Sequence, residues 1–129
     1  MTGQNGPNMR ILLVDDEDMV RELFRNVLTD AGYEVMGATN GIEALKILED
    51  QSVDLVITDI LMPEKEGVET ITEIKQKYPD MRVIAISGGG RVKYFMPLVI
   101  AAKAGADRAL HKPIEPDDLL KAVREVMAA

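Results

Sequence analysis

Val53-Asp54-Leu55-Val56-Ile57-Thr58-Asp59 is an almost unbroken apolar run that closes on a carboxylate. Consecutive apolar positions mark a strand buried on both faces, the habit of strands inside a parallel sheet. Two further runs have the same character, at residues 11–14 and 83–86. Weaker runs at residues 33–38 and 106–110 supply two more candidate strands, making five with the central one at residues 53–57.

Between these runs the apolar residues recur at steps of three and four, the spacing of one face of a helix. Met19, Val20, Leu23, Phe24, Val27, Leu28 and Ala31 form the first such stripe, and Gly32 follows where a left-handed C-terminal cap is wanted. Ile42, Leu45 and Leu48 form a second stripe, with Asn40 placed to cap it. Val68, Ile71 and Ile74 form a third. A fourth helix is expected to end near Ala104, with Gly105 as its stop. The fifth, from about Pro116 to Met127, opens with proline and with Asp117 and Asp118 at its positive dipole end. Regular βα alternation without hairpin signals predicts right-handed crossovers and a doubly wound α/β fold, a five-stranded parallel sheet with five helices on its two faces.

Composition narrows the function. A chain of 129 residues with 47% apolar content suits one domain with a substantial core. Cysteine is absent, which excludes disulfides and thiolate metal sites and fits a reducing, cytoplasmic setting. The apolar runs are far shorter than the roughly 20 residues a spanning helix needs, so no membrane insertion is expected. A net charge of −7 disfavours direct binding to nucleic acid and tolerates a divalent cation. Residues 1–8 are polar, with Gly3, Gly6 and Pro7, and lack the apolar core of a secretory signal. They are expected to form a flexible tail ahead of one domain over residues 9–129.

In open parallel α/β sheets the functional crevice lies beyond the C-terminal strand ends. Those ends carry Asp15-Asp16, Thr58-Asp59, Ser87-Gly88 and His111-Lys112-Pro113. Taken singly, Asp15 and Asp16 read as a helix-capping run, Ser87 as a turn residue and Lys112 as a surface lysine. Their placement on one rim changes the reading. Two carboxylates about 5 Å apart repel by roughly 3 kcal/mol at an effective dielectric near 20. Gathering three demands compensation, which Lys112 and Mg²⁺ would supply; the bare cluster is therefore expected to hold raised carboxyl pKa values. Pro113 holds Lys112 extended and is a candidate for a cis peptide bond. Gly88, Gly89 and Gly90 lack the GxxxxGK[ST] spacing of a nucleotide-binding loop, although they would let backbone N–H groups approach a phosphoryl group.

The set Asp15-Asp16, Asp59-Ile60-Leu61-Met62-Pro63 with Gly67, Ser87 and Lys112-Pro113 resembles the CheY-like receiver domain of two-component response regulators, over about residues 9–127. The resemblance implies the strand order 2-1-3-4-5. It implies Asp59 as phosphoacceptor, and Asp16 and Asp59 as direct Mg²⁺ ligands. Asp15 would act partly through water, and the Leu61 backbone carbonyl would complete the protein ligands. Lys112 would bind a phosphoryl oxygen, and Ser87 would be the switch hydroxyl. The phosphodonor would be a phosphohistidine on a sensor histidine kinase or a histidine phosphotransfer protein. Phosphorylation would shift a conformational equilibrium and so control a downstream protein target. The implied activity is a signalling switch that catalyses its own aspartyl phosphorylation and dephosphorylation rather than an enzyme acting on a separate substrate. The face formed by the fourth helix, fifth strand and fifth helix would serve output or self-association.

Three features depart from the family pattern. Ala109 stands where an aromatic switch residue is common, three positions before Lys112. The stretch from Ser87 to Lys112 is longer than usual. Within it, Tyr94-Phe95-Met96-Pro97-Leu98-Val99-Ile100 is rich in apolar residues for a helix with one solvent face. These motivate a second reading, a scaffold that keeps the fold and signals without phosphate. A third, hydrolysis through an aspartyl phosphate as in haloacid-dehalogenase-like phosphatases, lacks the expected second aspartate, since Leu61 occupies that position.

Overall fold

The computed structural model describes residues 9–60, 67–87, 102 and 104–128. Its elements follow in the order β1 (Arg10–Val14), α1 (Asp18–Asp30), β2 (Glu34–Ala38), α2 (Gly41–Asp50), β3 (Leu55–Asp59), α3 (Gly67–Lys77), β4 (Arg82–Ser87), β5 (Arg108–His111) and α4 (Pro116–Ala128). All strand pairs are parallel and the sheet runs β2-β1-β3-β4-β5.

The unbroken apolar runs resolve into two alternating sets, because successive strand residues point to opposite faces. Ile11, Leu13, Leu55, Ile57, Ile84 and Ile86 pack with Phe24 and Leu28 of α1 and Leu119, Ala122, Val123 and Val126 of α4. Leu12, Val14, Val56, Val83 and Ala85 pack with Ala44 and Leu48 of α2 and Ile71 and Ile74 of α3. Each face thus has its own core, and the sheet between them is held from both sides.

The expected strands are present with shifted ends. The central one begins at Leu55 rather than Val53 and includes Asp59. Asp54 sits before it with its carboxylate accepting the Arg10 N–H at 2.8 Å, a contact that holds the chain just ahead of the ladder. The last strand begins at Arg108 rather than Ala106, after Asp107 turns its carboxylate to the Val83 N–H at 2.8 Å and to Lys75 at 3.1 Å. The first helical stripe is wider than the surface it covers, and Met19, Leu23 and, in α2, Ile42 are exposed.

Four helices stand among the described residues. The body of the expected fourth helix, with residues 94–100, lies outside them, and so does the expected tail at residues 1–8. The end of that segment is described. Gly105 donates to the Ala102 carbonyl at 3.1 Å with φ of 115°, and Gly32 closes α1 with φ of 102°, both left-handed conformations that glycine adopts without a Cβ clash. Asn40 caps α2, its side chain accepting the Glu43 N–H at 2.9 Å while Glu43 accepts the Thr39 N–H at 2.7 Å.

Candidate phosphoacceptor site

The C-terminal ends of β1, β3, β4 and β5 converge on one rim. Asp15 follows β1 and is buried, its N–H donating to the Ala38 carbonyl at 3.1 Å. Asp59 ends β3 and is buried, and Ser87 ends β4 fully buried. Lys112 follows β5, anchored by its N–H to the Ser87 carbonyl at 2.9 Å, and a cis peptide bond joins it to Pro113.

The Lys112 ammonium lies 3.1 Å from Asp15 Oδ2, 3.2 Å from Asp59 Oδ2 and 3.4 Å from Glu17 Oε1. Carboxylate oxygens of Asp15, Glu17 and Asp59 lie within 4.8 Å of one another. One ammonium therefore faces three carboxylates. Burial pushes the Asp15 carboxyl above the usual carboxylate range, and the Glu17 backbone N–H and Lys112 oppose that shift without cancelling it. Burial disfavours the charge on Lys112 as well, but Asp59 and Asp15 together hold it above the ordinary lysine value. The Lys112 shift reflects the negative charge gathered around it, and the Asp15 shift reflects burial.

The donor set fits a hard divalent cation. It offers carboxylate oxygens at close quarters, and Mg²⁺ is held by one or two carboxylates with water and phosphate oxygens completing the shell. Two neighbouring residues are candidates for the third acid. Asp16 is exposed and does not join the group; Glu17 takes that place. Glu17 is the N-cap residue of α1, and its N–H donates to Asp15 Oδ1 at 2.9 Å, which carries its side chain toward the lysine. The run of acids from Asp15 to Asp18 announced such a residue without saying which one faces Lys112, and Glu17 does so while remaining exposed. The Leu61 carbonyl and Gly88 to Gly90 lie outside the described residues.

Ser87 Oγ is buried and has no hydrogen-bond partner among the described residues. A buried hydroxyl without a partner costs about 1–3 kcal/mol. Thr58, also fully buried, has its hydroxyl 3.0 Å from the Asp59 carbonyl. Ala109 stands in β5 opposite Ala85, and His111 ends that strand exposed.

A doubly wound parallel domain with an acid-rich rim and a lysine across it is the architecture of phosphoryl-accepting signalling modules. Residues 11–124 match the family model for the response regulator receiver domain, and the chain belongs to that family. It is 37% identical over 118 residues to the chemotaxis protein CheY of Thermotoga maritima, covering 91% of this chain and 96% of that protein. A CheY-like receiver domain protein from Methanospirillum hungatei superposes with a TM-score of 0.86 at 31% identity, covering 94% of each chain. The receiver domain of NtrX from Brucella abortus gives 0.85 at 31% identity, covering 92% of this chain and 98% of that one. Among the described residues, no helix is long and apolar enough to cross a membrane.

Proposed function

We propose that Asp59 accepts a phosphoryl group and that residues 9–129 act as the receiver switch of a two-component or phosphorelay pathway, with residues 1–8 as a tail. The observation that carries this reading is the Lys112 ammonium bridging two buried aspartates at 3.1 and 3.2 Å. A buried charge cluster of this kind is costly to hold without a partner, which makes it a candidate for function rather than for stability.

Asp15, Asp16, Asp59 and the Leu61 carbonyl are the residues we assign to Mg²⁺; Asp16, exposed beside the cluster, is free to turn toward it. When bound, the cation supplies positive charge against the carboxylates and the phosphoryl oxygens. The chain's own residues do the rest. An Asp59 carboxylate oxygen forms a bond to phosphorus as the P–N bond of a donor phosphohistidine breaks, and the leaving imidazole nitrogen keeps the electron pair. Lys112 transfers its hydrogen bond from Asp59 to a phosphoryl oxygen. Ser87 Oγ, which lacks a partner among the described residues, donates to another. Water later returns Asp59 to a free carboxylate and releases phosphate.

The donor is a histidine kinase or a histidine phosphotransfer protein, and the recipient of the signal is a downstream protein, reached through the face that includes β5 and α4 or through self-association there. The absence of cysteine fits a cytoplasmic setting. Incubation with acetyl phosphate and Mg²⁺ should add the mass of one phosphoryl group, and Asp59→Asn should abolish the addition. Wild-type protein left unmodified under those conditions would overturn the assignment.

A further inference from the structure

Asp15 can serve a cation only if the loop after β1 holds it in place, and that loop has a clamp outside the acidic cluster. Arg21, one turn into α1, has a side chain only 14% exposed. Its Nη1 donates to the Asp15 backbone carbonyl at 2.7 Å and its Nη2 to Asp18 Oδ1 at 2.5 Å. One guanidinium thus grips both ends of the segment from Asp15 to Asp18. Within that segment the Glu17 N–H donates to Asp15 Oδ1 at 2.9 Å, so the geometry of the carboxylate follows the geometry of the loop.

The clamp needs room, and β2 supplies it. Gly37 faces the Arg21 stem, and a Cβ at that position would lie 3.3 Å from Arg21 Cδ and 3.5 Å from its Nε. That approach is tight enough that the stem would have to yield by a few tenths of an ångström. Gly37 has ordinary negative or extended φ, so space rather than backbone conformation is what makes a side chain unwelcome there.

We infer that Arg21 is a positioning residue for the cation-binding carboxylates, seated in a slot that Gly37 leaves open at the edge of the sheet. The inference rests on the function proposed above, but Arg21 and Gly37 themselves touch neither cation nor phosphoryl group. Groups that orient metal ligands from behind change metal affinity by about 10–100-fold when lost. Arg21→Met keeps the apolar stem and removes the fork. It should weaken Mg²⁺ binding, read by calorimetry, by about tenfold. The rate of phosphorylation by acetyl phosphate should return close to the wild-type value at saturating Mg²⁺, a KM-type rather than a kcat-type defect. Hydrogen exchange at the Glu17 amide should accelerate, because its acceptor is no longer held. Arg21→Lys should restore only part of the affinity, since one ammonium does not reproduce a planar fork. Gly37→Ala, whose added Cβ would press on the Arg21 stem, should shift affinity in the same direction by less.

Wild-type Mg²⁺ affinity and an unchanged Glu17 amide in Arg21→Met would overturn the inference while leaving the phosphoacceptor reading intact. A wild-type protein that binds no Mg²⁺ would instead overturn that reading, and Glu17 amide exchange alone would then decide whether the clamp exists.

Discussion

Replacing Lys112 with methionine removes the one ammonium that faces the cluster among the described residues while keeping most of its stem. At distances of 3.1 and 3.2 Å, each of its attractions to Asp15 and Asp59 is worth about 5 kcal/mol gross at an effective dielectric near 20. Lysine desolvation offsets much of this. What remains in the variant is two buried carboxylates whose oxygens lie within 4.8 Å of each other. Breaking a buried pair by removing one partner costs roughly 3–5 kcal/mol, and about 3 kcal/mol is expected here because Mg²⁺-free water retains some access to the rim. Urea unfolding of the metal-free proteins at pH 7 measures the gap directly.

The gap should depend on pH in a stated direction. Burial already raises the folded-state pKa of Asp15, so the folded protein binds that proton more tightly than the unfolded chain does. Such an acid makes folding more favourable as pH falls toward its folded pKa. Loss of Lys112 raises it further, so the variant gains more than wild type on acidification and the gap narrows toward pH 5. Lys112 itself has a raised folded pKa. Its contribution is complete below the unfolded lysine value of about 10.4 and fades as pH climbs through the folded one. The gap should therefore narrow at strongly alkaline pH as well, and saturating Mg²⁺ at pH 7 should also reduce it. Equal urea midpoints at pH 7, or a gap that stays constant down to pH 5, would refute the account of Lys112 as the main counter-charge.

Two further outcomes follow from the same geometry. Ser87→Ala should leave the resting protein as stable or raise its stability by about 1 kcal/mol in urea unfolding, because the buried hydroxyl has no partner among the described residues; acyl-phosphate formed in that variant should provoke a weaker conformational change by amide chemical shifts. Asp16→Asn and Glu17→Gln separate the two candidates for the third acid, both exposed: a larger loss of Mg²⁺ affinity in Glu17→Gln would show that the residue facing Lys112 in the metal-free site remains the ligand, whereas a larger loss in Asp16→Asn would show that Asp16 turns toward the cation on binding.

Much of this site was legible because topology does the assembly. Once the runs at residues 11–14, 53–57 and 83–86 read as doubly buried strands, the rule that parallel sheets work at their C-terminal edge put Asp15, Asp59, Ser87 and Lys112 together without any local motif. The alternating cores confirm that reading residue by residue, Leu55 and Ile57 on one face and Val56 on the other. Strand ends were less legible because side chains set them: Asp54 and Asp107 spend their carboxylates on neighbouring backbone N–H groups, and neither contact has a signature in hydropathy. That Glu17 rather than Asp16 lies close to Asp15 and Asp59 comes from the turn between β1 and α1, where four acids in sequence are chemically alike and only backbone direction distinguishes them. Arg21 escaped notice for a related reason. A polar residue between apolar helix positions reads as solvent-facing, and its depth depends on a glycine in a different strand.

The two halves of the charge pair differ in how firmly the fold holds them. Asp59 ends β3, whose five residues are all buried and which is flanked by β1 and β4. Lys112 follows β5, four residues long, partly or fully exposed throughout, and paired on one side to β4 alone among the described strands. The proposed nucleophile is therefore fixed to a strand paired on both sides and its counter-charge to one paired on a single side among the described strands. Adding a phosphoryl group to Asp59 places roughly two negative charges where Lys112 and Ser87 must both respond. Their backbones are already joined by the Lys112 N–H to Ser87 carbonyl bond at 2.9 Å. β3 is held on both sides and β5, among the described strands, on one, so a displacement is expected at the end of β4 and in β5. With Ala109 at its position in β5, no aromatic side chain is available at that position to rotate, so under the proposed phosphorylation a shift of the strand itself is the expected signal.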